Sequence, residues 1–240
     1  MIYKEENSRT EMLLGAEGVE KLARARVAVF GVGGVGGYAV EALARAGVGA
    51  IDLFDSDTVS RSNINRQIVA LQSTVGKAKV EVMRERIADI NPDCLVTAHE
   101  VFYLPENADD YPLDGYDYII DAIDTVGAKV ELIVRAERAG VKIISAMGAG
   151  NKLDPTRFAV TDLFKTEGCP LARVMRHELR KRGIKHLKVV FSDEPARTPV
   201  TSDTKDGTDQ RKRAPGSVSF VPSVAGLILA GEVVRELCEC

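Results

Sequence analysis

A glycine-rich loop is the first stretch of this sequence whose residue types could do chemistry. It reads Gly31-Val32-Gly33-Gly34-Val35-Gly36-Gly37 and directly follows an apolar run at 26–30. Glycines between a strand and a helix let backbone amides approach a phosphate, and the helix N-terminus adds positive potential. Asp55 ends the next apolar run, where a carboxylate can accept hydrogen bonds from ribose hydroxyls. The arrangement predicts a nucleotide site. A turn that needs its glycines only for packing is the less favoured alternative.

A polar loop beyond Asp55 bears on which nucleotide is bound. It reads Ser62-Asn63-Ile64-Asn65-Arg66-Gln67, and Gly76-Lys77-Ala78-Lys79 follows at the start of a predicted helix. A nicotinamide needs a flat apolar slot, whereas a triphosphate needs fixed positive charge. The cations in these two segments therefore favour ATP, although the glycine loop alone fits a nicotinamide dinucleotide equally well.

Two aspartates, Asp121 and Asp124, follow the strand-like run at 117–121. This run ends at the carboxyl edge of the predicted sheet, where such folds bind ligands, so one of the two could hold Mg²⁺ against phosphates. The alternative is structural: Arg66, Lys79 and Asp124 form a surface salt-bridge network, or one aspartate caps the next helix.

The elements expected to position these residues alternate between strands and helices. Strands are predicted at 26–30, 50–54, 95–98, 117–121 and 141–145, and helices at 38–46, 77–90 and 126–139. This alternation predicts an α/β protein with a Rossmann-like, mostly parallel sheet and helices on both faces. A C-terminal α/β portion extends it, with strand-like RFAVTDL and LKVVF, a helix over PLARVMRHELRKR and a closing helix from about 224 to 237.

The 240 residues are predicted to form one domain. We expect an N-terminal helical segment at 1–25, an ATP-binding core at 26–150, and a C-terminal portion at 151–240 with a mobile loop at about 193–216. One helical face in the first segment is expected to consist of Met12, Leu13, Leu14, Val19 and Leu22.

Composition excludes several classes of protein. The formal net charge of -3 gives no global attraction to nucleic acid, so any such binding must rest on a local patch. No DNA partner is expected. The apolar stretch at 218–234 is interrupted and falls short of the ~20 apolar residues of a spanning helix. The first residues lack a signal-peptide core, and the four cysteines are scattered, which favours a reduced, cytoplasmic compartment. Cys169 is expected to be buried, and Cys238 and Cys240 to be exposed tail thiols, one of which could accept sulfur from a partner.

Taken together, GVGGVGG, the pair Asp55 and Asp57, SNINRQ, GKAK and DAID resemble the ThiF-type adenylyltransferase superfamily, relatives of the enzymes that activate ubiquitin-like proteins. The similarity covers nearly all of the first 150 residues. It implies an enzyme that binds ATP and Mg²⁺ and acts as a homodimer.

The resemblance also implies roles for individual residues. Phosphates would lie on Gly31, Gly33, Gly34 and Gly36, and the ribose on Asp55. The remaining nucleotide contacts would come from Asn63, Arg66, Gln67 and Lys79. Asp124 would bind Mg²⁺, and Arg9 would reach the site of the partner subunit. The expected catalytic residues are therefore Arg66, Lys79, Asp124 and Arg9.

Two features narrow the branch of the superfamily. The sequence contains no CxxC pair, so the zinc site of the sulfur-carrier-activating members is not expected. The segments GCPLARVMRHELRKRGI, VVFSDEP and SVSFVPSVAGLILAGEVVREL resemble the tRNA threonylcarbamoyladenosine dehydratases. This resemblance implies ATP-dependent cyclisation of the threonylcarbamoyl side chain of an anticodon-loop adenosine. Its carboxylate would be adenylated, and pyrophosphate and AMP released. A monovalent cation is a further candidate ligand.

A basic stretch between 170 and 188 is the expected tRNA contact, and the alternative is an ordinary solvated helix face. Its candidate residues are Arg173, Arg176, Arg180, Lys181, Arg182 and Lys185. Arg211-Lys212-Arg213 could add to it. Three other functions stay open: an adenylyltransferase for the C-terminus of a ubiquitin-like sulfur carrier, an NAD-dependent dehydrogenase, and a scaffold without chemistry.

Overall fold

The computed structural model of the protein describes residues 5–200 and 215–240. The strands are β1 (Arg26–Phe30), β2 (Ala50–Phe54), β3 (Leu95–His99), β4 (Tyr118–Asp121), β5 (Lys142–Ala146), β6 (Phe158–Asp162) and β7 (Lys188–Ser192). The α-helices are α1 (Ser8–Arg24), α2 (Gly36–Ala46), α3 (Lys79–Ile90), α4 (Val126–Ala139), α5 (Pro170–Lys181) and α6 (Phe220–Cys238).

The strands form one seven-stranded sheet in the order β3-β2-β1-β4-β5-β7-β6. Neighbouring strands are parallel except for β6 and β7. The chain places β2 and β3 on one side of β1 and the later strands on the other side. A crevice therefore opens beyond the carboxyl ends of β1 and β4, the position at which sheets of this type bind ligands.

Helices cover both faces of the sheet. Val27 and Val29 of β1 face a core shared with α1, α2, α3 and α6. Ala28 and Phe30 face the opposite core, which contains Leu132 of α4. Because successive strand residues point to opposite faces, β1 is buried on both sides and almost wholly apolar. The predicted Rossmann-like, mostly parallel sheet with helices on both faces is confirmed, and β7 and β6 extend that same sheet.

The expected apolar face of α1 forms only in part, since Leu22 is buried and Leu14 packs against the core but two other residues do not. Gly15 interrupts the helix with φ 71° and ψ 166°. Residues before and after this kink therefore no longer lie on one face of a continuous helix. Leu22 is fully buried, but Met12 and Leu13 are 82% and 88% exposed. The prediction was wrong for these two residues because periodicity was counted across a break that the sequence marks only with a glycine.

Two expectations concern the C-terminal part of the chain. Most of the loop predicted at 193–216 falls on residues 201–214, which lie outside the described residues, as do Arg211, Lys212 and Arg213. Among the helices that are described, none has the length and apolar content needed to cross a bilayer.

Candidate functional site

A cavity of about 490 Å³ lies beyond the carboxyl ends of β1, β2 and β4, in the crevice that the strand order predicts. Most of the residues singled out from the sequence line it, namely Gly31, Gly33, Gly34, Asp55, Asn63, Arg66, Gln67, Lys79 and Asp124. Tertiary folding thus brings together groups that are up to 93 positions apart, from Gly31 to Asp124.

The glycine loop forms one wall of the cavity. Gly31 has φ 92°, and a Cβ atom there would lie 2.6 Å from the Ala122 carbonyl oxygen. A Cβ atom on Gly36 would lie 1.8 Å from the Gly31 carbonyl oxygen, so both glycines are required by the fold. Gly33 differs, because the nearest atom to such a Cβ is Gln67 Nε2 at 3.8 Å. Gly36 itself lies behind the loop and does not line the cavity.

Asp55 and Lys79 form the charged floor beside this loop. Asp55 accepts hydrogen bonds from the Val32 amide at 2.7 Å and the Asp57 amide at 2.8 Å. Burial raises the pKa of Asp55, and Lys79 and the two amide bonds only partly oppose this. Lys79 is buried, with its Nζ atom 2.6 Å from Asp57 Oδ2 and 4.0 Å from Asp55 Oδ1. A phosphate oxygen could replace the exposed Asp57 carboxylate as the partner of this ammonium group.

Arg66 presents a half-buried guanidinium at the opposite wall. Its Nη1 donates to the Ser62 carbonyl at 3.0 Å and to Asn65 Oδ1 at 2.9 Å. Within the described ranges, Nε and Nη2 make no recorded hydrogen bond or ion pair, so two donors remain for an anion.

Two amide side chains of the polar loop have different environments. Asn63 is buried and completes a capping box with Ser60, whose backbone amide donates to Asn63 Oδ1 at 3.0 Å. Gln67 is also buried, and its Oε1 atom has no hydrogen-bond partner in the described structure. A buried acceptor without a partner is costly, so the cavity is suited to a ligand that donates a hydrogen bond there.

The two aspartates that follow β4 are not equivalent. Asp121 is fully buried, 2.9 Å from Lys129 Nζ, and accepts from Ser145 Oγ at 2.5 Å. Asp124 is exposed, lines the cavity and accepts from Thr125 Oγ1 at 3.2 Å. Only Asp124 is therefore available to a metal. A single carboxylate beside phosphates fits Mg²⁺, which commonly takes one or two protein carboxylates and completes its shell with phosphate oxygens and water.

The structural alternatives for the charged residues do not form in the described part of the chain. Arg66, Lys79 and Asp124 are not paired with one another, since Lys79 is paired with Asp57 and Asp55. The N-cap residue of α4 is Thr125, without a side-chain capping bond, so Asp124 does not cap that helix. No group of three or more His, Cys, Asp and Glu side chains among residues 5–200 and 215–240 is arranged to hold a metal by itself.

An aromatic wall of the cavity was missed from the sequence. Phe30 and Phe54 stack with ring centroids 4.1 Å apart, and Tyr103 meets the Phe30 ring edge-on at 5.0 Å. Val101 and Phe102 line the cavity beside them. Val101 and Phe102 follow shortly after β3, and this position could have predicted them as cavity residues, because the carboxyl ends of parallel strands share one edge of the sheet.

The C-terminal part supplies a further wall that sequence reasoning did not find. Gly150, Pro215, Ser217 and Pro222 line the cavity although they lie far from the glycine loop in sequence. The sequence contains no motif that links these residues to the glycine loop, because only tertiary contacts bring them to the cavity.

The expected tRNA-contacting residues lie on and after α5, outside the cavity lining. Arg176 donates to the Thr166 carbonyl at 2.7 Å, and Lys181 and Arg182 pair with Glu178. Arg180 lies over the Phe164 ring at 5.3 Å. Arg173 and Lys185 are exposed, and no ion pair is recorded for either within the described residues.

Arg9 and the cysteines complete the set of predicted residues. Arg9 is exposed on α1 and does not line the cavity of its own chain. Cys169 is 2% exposed, as expected, and Cys240 is exposed. The prediction of an exposed thiol is wrong for Cys238, because its Sγ packs the end of α6 against α1, 3.5 Å from the Gly18 carbonyl oxygen. Burial raises the pKa of this thiol.

Comparison with known proteins gives consistent matches along nearly the whole chain. The model of the ThiF family matches residues 7–240. The tRNA threonylcarbamoyladenosine dehydratase of Bacillus subtilis (strain 168) is 49% identical over 238 residues, which cover 96% of this chain and 93% of that protein. The Escherichia coli (strain K12) protein of that name is 38% identical, over 95% of this chain and 91% of its own. A crystal structure of the E. coli dehydratase in complex with ATP superposes with a TM-score of 0.89, at 36% identity, covering 100% of this chain and 98% of the other.

Proposed function

Because the chain belongs to the ThiF family, we propose that its cavity binds ATP and that the protein is an adenylating enzyme that dehydrates threonylcarbamoyladenosine in tRNA. One observation carries the proposal. A cavity with free guanidinium donors and a glycine wall lies at the strand-order switch point of a chain that matches an ATP-bound dehydratase over its whole length.

The first chemical step would be adenylation. An oxygen of the substrate carboxylate attacks the α-phosphorus of ATP, the bond to the β-phosphate bridging oxygen breaks, and pyrophosphate leaves. Arg66 and Lys79 are assigned to the negative charge that develops on the phosphates, since both line the cavity as fixed cations. Asp124 would hold Mg²⁺, which supplies further charge neutralisation when it is bound.

The second step would be ring closure within the substrate. A nitrogen or oxygen of the carbamoyl group attacks the activated carbonyl carbon, the bond to AMP breaks, and a proton is lost. One carboxylate oxygen leaves with AMP, so the nucleoside loses the elements of water. An intramolecular attack benefits from a high effective molarity and needs no enzyme nucleophile.

Nucleoside mass spectrometry tests the proposed reaction directly. Purified protein is incubated with ATP, Mg²⁺ and tRNA that carries threonylcarbamoyladenosine. We expect that nucleoside to lose the mass of one water, and pyrophosphate to be released only when the modified tRNA is present. Pyrophosphate release that instead follows a ubiquitin-like sulfur carrier would establish the alternative adenylyltransferase function. Saturable NADH binding without ATP affinity would contradict both functions and favour a dehydrogenase.

For tRNA we propose a contact through the exposed cations of α5 and the turn that follows it. Arg173 lies in the first turn of α5, and its backbone amide donates to the Cys169 carbonyl at 3.1 Å. Cys169 in turn packs close to Gly148, which directly precedes Ala149 and Gly150 of the cavity lining. The start of α5 is therefore near the cavity.

An Arg173→Ala, Lys185→Ala double variant should raise the KM for tRNA and reduce its salt dependence, because two phosphate contacts are lost. Arg84→Ala is the control, since Arg84 is also an exposed cation but lies on α3, outside the proposed surface, where it pairs with Glu81. Equal KM values in all three proteins would contradict this surface.

We also propose that the enzyme is a homodimer in which Arg9 reaches the partner's cavity. Arg9→Ala and Arg66→Ala variants, each inactive alone, should regain activity when their subunits are mixed. Random exchange makes half of the dimers mixed, and each mixed dimer has one intact site, so recovery to about a quarter of wild-type activity is expected. A mixture that stays inactive after subunit exchange has been verified would contradict contribution in trans.

We further propose that the protein acts in the cytoplasm, and we consider a partner that would transfer sulfur to it. Free thiols and a tRNA substrate are consistent with the reducing cytoplasm. If a desulfurase partner delivers sulfur, Cys240 is the residue of the terminal pair that it can reach, since Cys238 is packed against α1. Persulfide trapping on wild type and Cys240→Ser tests this, and the absence of label on wild type would refute it.

A further inference from the structure

Asn65 connects the guanidinium of Arg66 to a distant part of the chain. Its Oδ1 atom accepts from Arg66 Nη1 at 2.9 Å, and its Nδ2 atom donates to the Ser217 carbonyl at 2.9 Å. Asn65 and Ser217 are 152 positions apart. One side-chain amide therefore connects Arg66 to the segment 215–217, which we call the C-terminal wall because Pro215 and Ser217 line the cavity.

The C-terminal wall is fixed on its other side by Asn151. The Gly216 amide donates to Asn151 Oδ1 at 2.7 Å, and the Asn151 amide donates to the Gly216 carbonyl at 2.7 Å. Gly150 packs so closely that a Cβ atom there would lie 2.7 Å from Pro215 Cβ. Hydrogen bonds and close packing therefore hold the C-terminal wall in place, and Asn65 is hydrogen-bonded to it.

An arginine side chain has many rotamers, and fixing one of them costs conformational entropy when a ligand binds. Arg66 has two local restraints, the Ser62 carbonyl and Asn65 Oδ1, and both act on Nη1. Neither restraint uses Nε or Nη2, so these two nitrogens are available to donate hydrogen bonds to a ligand. Of the two restraints, only Asn65 connects the guanidinium to the C-terminal wall.

We propose that Asn65 is a positioning residue, which holds Arg66 in its phosphate-binding orientation by tying it to the C-terminal wall. The inference rests on the proposed ATP site but does not depend on which acceptor is adenylated. It assigns Asn65 an indirect role through Arg66, and it assigns Asn151 a role one step further away, through the wall.

A double-mutant cycle on ATP binding tests the proposal. Wild type, Asn65→Ala, Arg66→Ala and the double variant are titrated with ATP and Mg²⁺ by calorimetry, without tRNA. Asn65→Ala should weaken ATP binding about 3- to 10-fold in the wild-type background, the size expected for the loss of one hydrogen bond. In the Arg66→Ala background the same change should have no effect, because the group that Asn65 positions is absent.

Other outcomes of the cycle contradict the proposal. An equal loss in both backgrounds would mean that Asn65 does not act through Arg66, and no loss in the wild-type background would mean that Asn65 does not position it. Asn91→Ala is the control variant, since Asn91 Nδ2 likewise donates to a distant carbonyl, that of Val48 at 3.2 Å, but lies away from the cavity. In each background, Asn91→Ala should bind ATP as tightly as the parent protein that lacks this change.

Asn151→Gly tests the link through the C-terminal wall. Asn151 has φ 58°, a conformation that glycine adopts without strain, so this change removes Oδ1 and leaves the backbone path intact. We expect weaker ATP binding in the wild-type background and no further loss in the Asn65→Ala background. A loss that persists there would contradict transmission through Asn65. Because only ATP is used, a negative nucleoside assay would reject the dehydratase function without altering the result of this cycle.

Discussion

Gly31 and Gly33 are two positions apart in the glycine loop, but their surroundings differ. A methyl group at Gly31 collides with the Ala122 carbonyl, whereas at Gly33 it meets no protein atom closer than 3.8 Å and enters the cavity. The first position is therefore constrained by the fold, and the second by whatever occupies the cavity.

This difference predicts opposite outcomes for two alanine variants. Gly33→Ala should keep the wild-type melting temperature and bind ATP about tenfold or more weakly, equivalent to the roughly 1–3 kcal/mol that overpacking costs. Gly31→Ala should lower the melting temperature, because its φ of 92° strains any L side chain. Thermal unfolding and ATP titration check both. Wild-type affinity in Gly33→Ala would show that phosphates do not lie on this residue.

Arg66 and Asp124 allow a prediction about the chemical step. Each supplies charge in the cavity and little core packing, so Arg66→Ala and Asp124→Ala should each reduce pyrophosphate release about 10²- to 10³-fold. The melting temperature should stay unchanged, and Arg138→Ala, an exposed arginine on α4, should have wild-type activity. Activity retained in both cavity variants would mean that the phosphate site is misplaced.

For individual residues, the sequence predicts well which residue types form the site, but it predicts poorly which side chains they contact. A glycine loop after a strand, an aspartate after the next strand and a nearby arginine are local patterns, so their convergence at one sheet edge was predictable. The choice between Asp121 and Asp124 was not, because it depends on Lys129, which is fully buried 2.9 Å from Asp121 and can be placed there only by the packing of α4. The contact of Asn65 with Ser217 has no sequence signal for the same reason.

Helices α2 and α6 cross in close contact near the site. A Cβ atom on Gly226 of α6 would lie 2.2 Å from the Val35 carbonyl oxygen, in the glycine loop just before α2. The last long helix of the chain therefore packs directly on the loop that lines the cavity. Any displacement of α6 must move that loop or strain it.

This contact predicts a difference between two glycines of the same helix. Gly226→Ala should lower the free energy of unfolding by about 1–3 kcal/mol through overpacking, and it should also weaken ATP binding. Gly231→Ala meets nothing within 4 Å and should raise the stability by about 0.5–1 kcal/mol through helix propensity. Urea unfolding with ATP titration checks the pair. Equal stability of the two variants would contradict the tight crossing.

Element positions were largely predictable, and the exceptions have physical causes. Each of the predicted strands and later helices is observed within a few residues of its predicted bounds, because β-branched runs and amphipathic periodicity are local properties. Helix α6 begins at Phe220, earlier than expected, since Pro222 is tolerated in the first turn of a helix. The α1 pattern failed at Gly15, where a single backbone conformation outweighs the periodicity.

Two carboxylates tie separate elements of the whole molecule together. Glu41 of α2 accepts from Arg86 of α3 at 2.6 Å, and Glu236 of α6 is hydrogen-bonded to Lys188 of β7. Burial alone would raise the pKa of each, but the hydrogen bonds from these cations lower it overall. A lowered pKa in the folded state gives stability that is present above the unfolded value of about 4.3 and is lost as the pH falls through the folded value.

The free energy of unfolding should therefore decrease as the pH falls from about 5 towards 3. Asp55 contributes with the opposite sign, since its raised pKa favours the protonated folded state, but it is one described carboxylate against seven whose pKa is lowered. A Glu41→Gln, Glu236→Gln variant should show a shallower pH dependence in urea unfolding. Glu137→Gln, at an exposed position on α4, should retain the wild-type slope. An unchanged slope in the double variant would contradict this assignment.

The position of Tyr103 against the Phe30 ring gives the molecule a built-in optical reporter. The chain has six tyrosines and no tryptophan, so tyrosine dominates its ultraviolet emission. Burial raises the pKa of Tyr103 to about 12, and the phenol stays protonated and emissive at neutral pH. A purine that stacks beside this wall of the cavity would quench part of that emission. Unlabelled protein could then report nucleotide occupancy in a cuvette, with Tyr103→Phe as the silent reference.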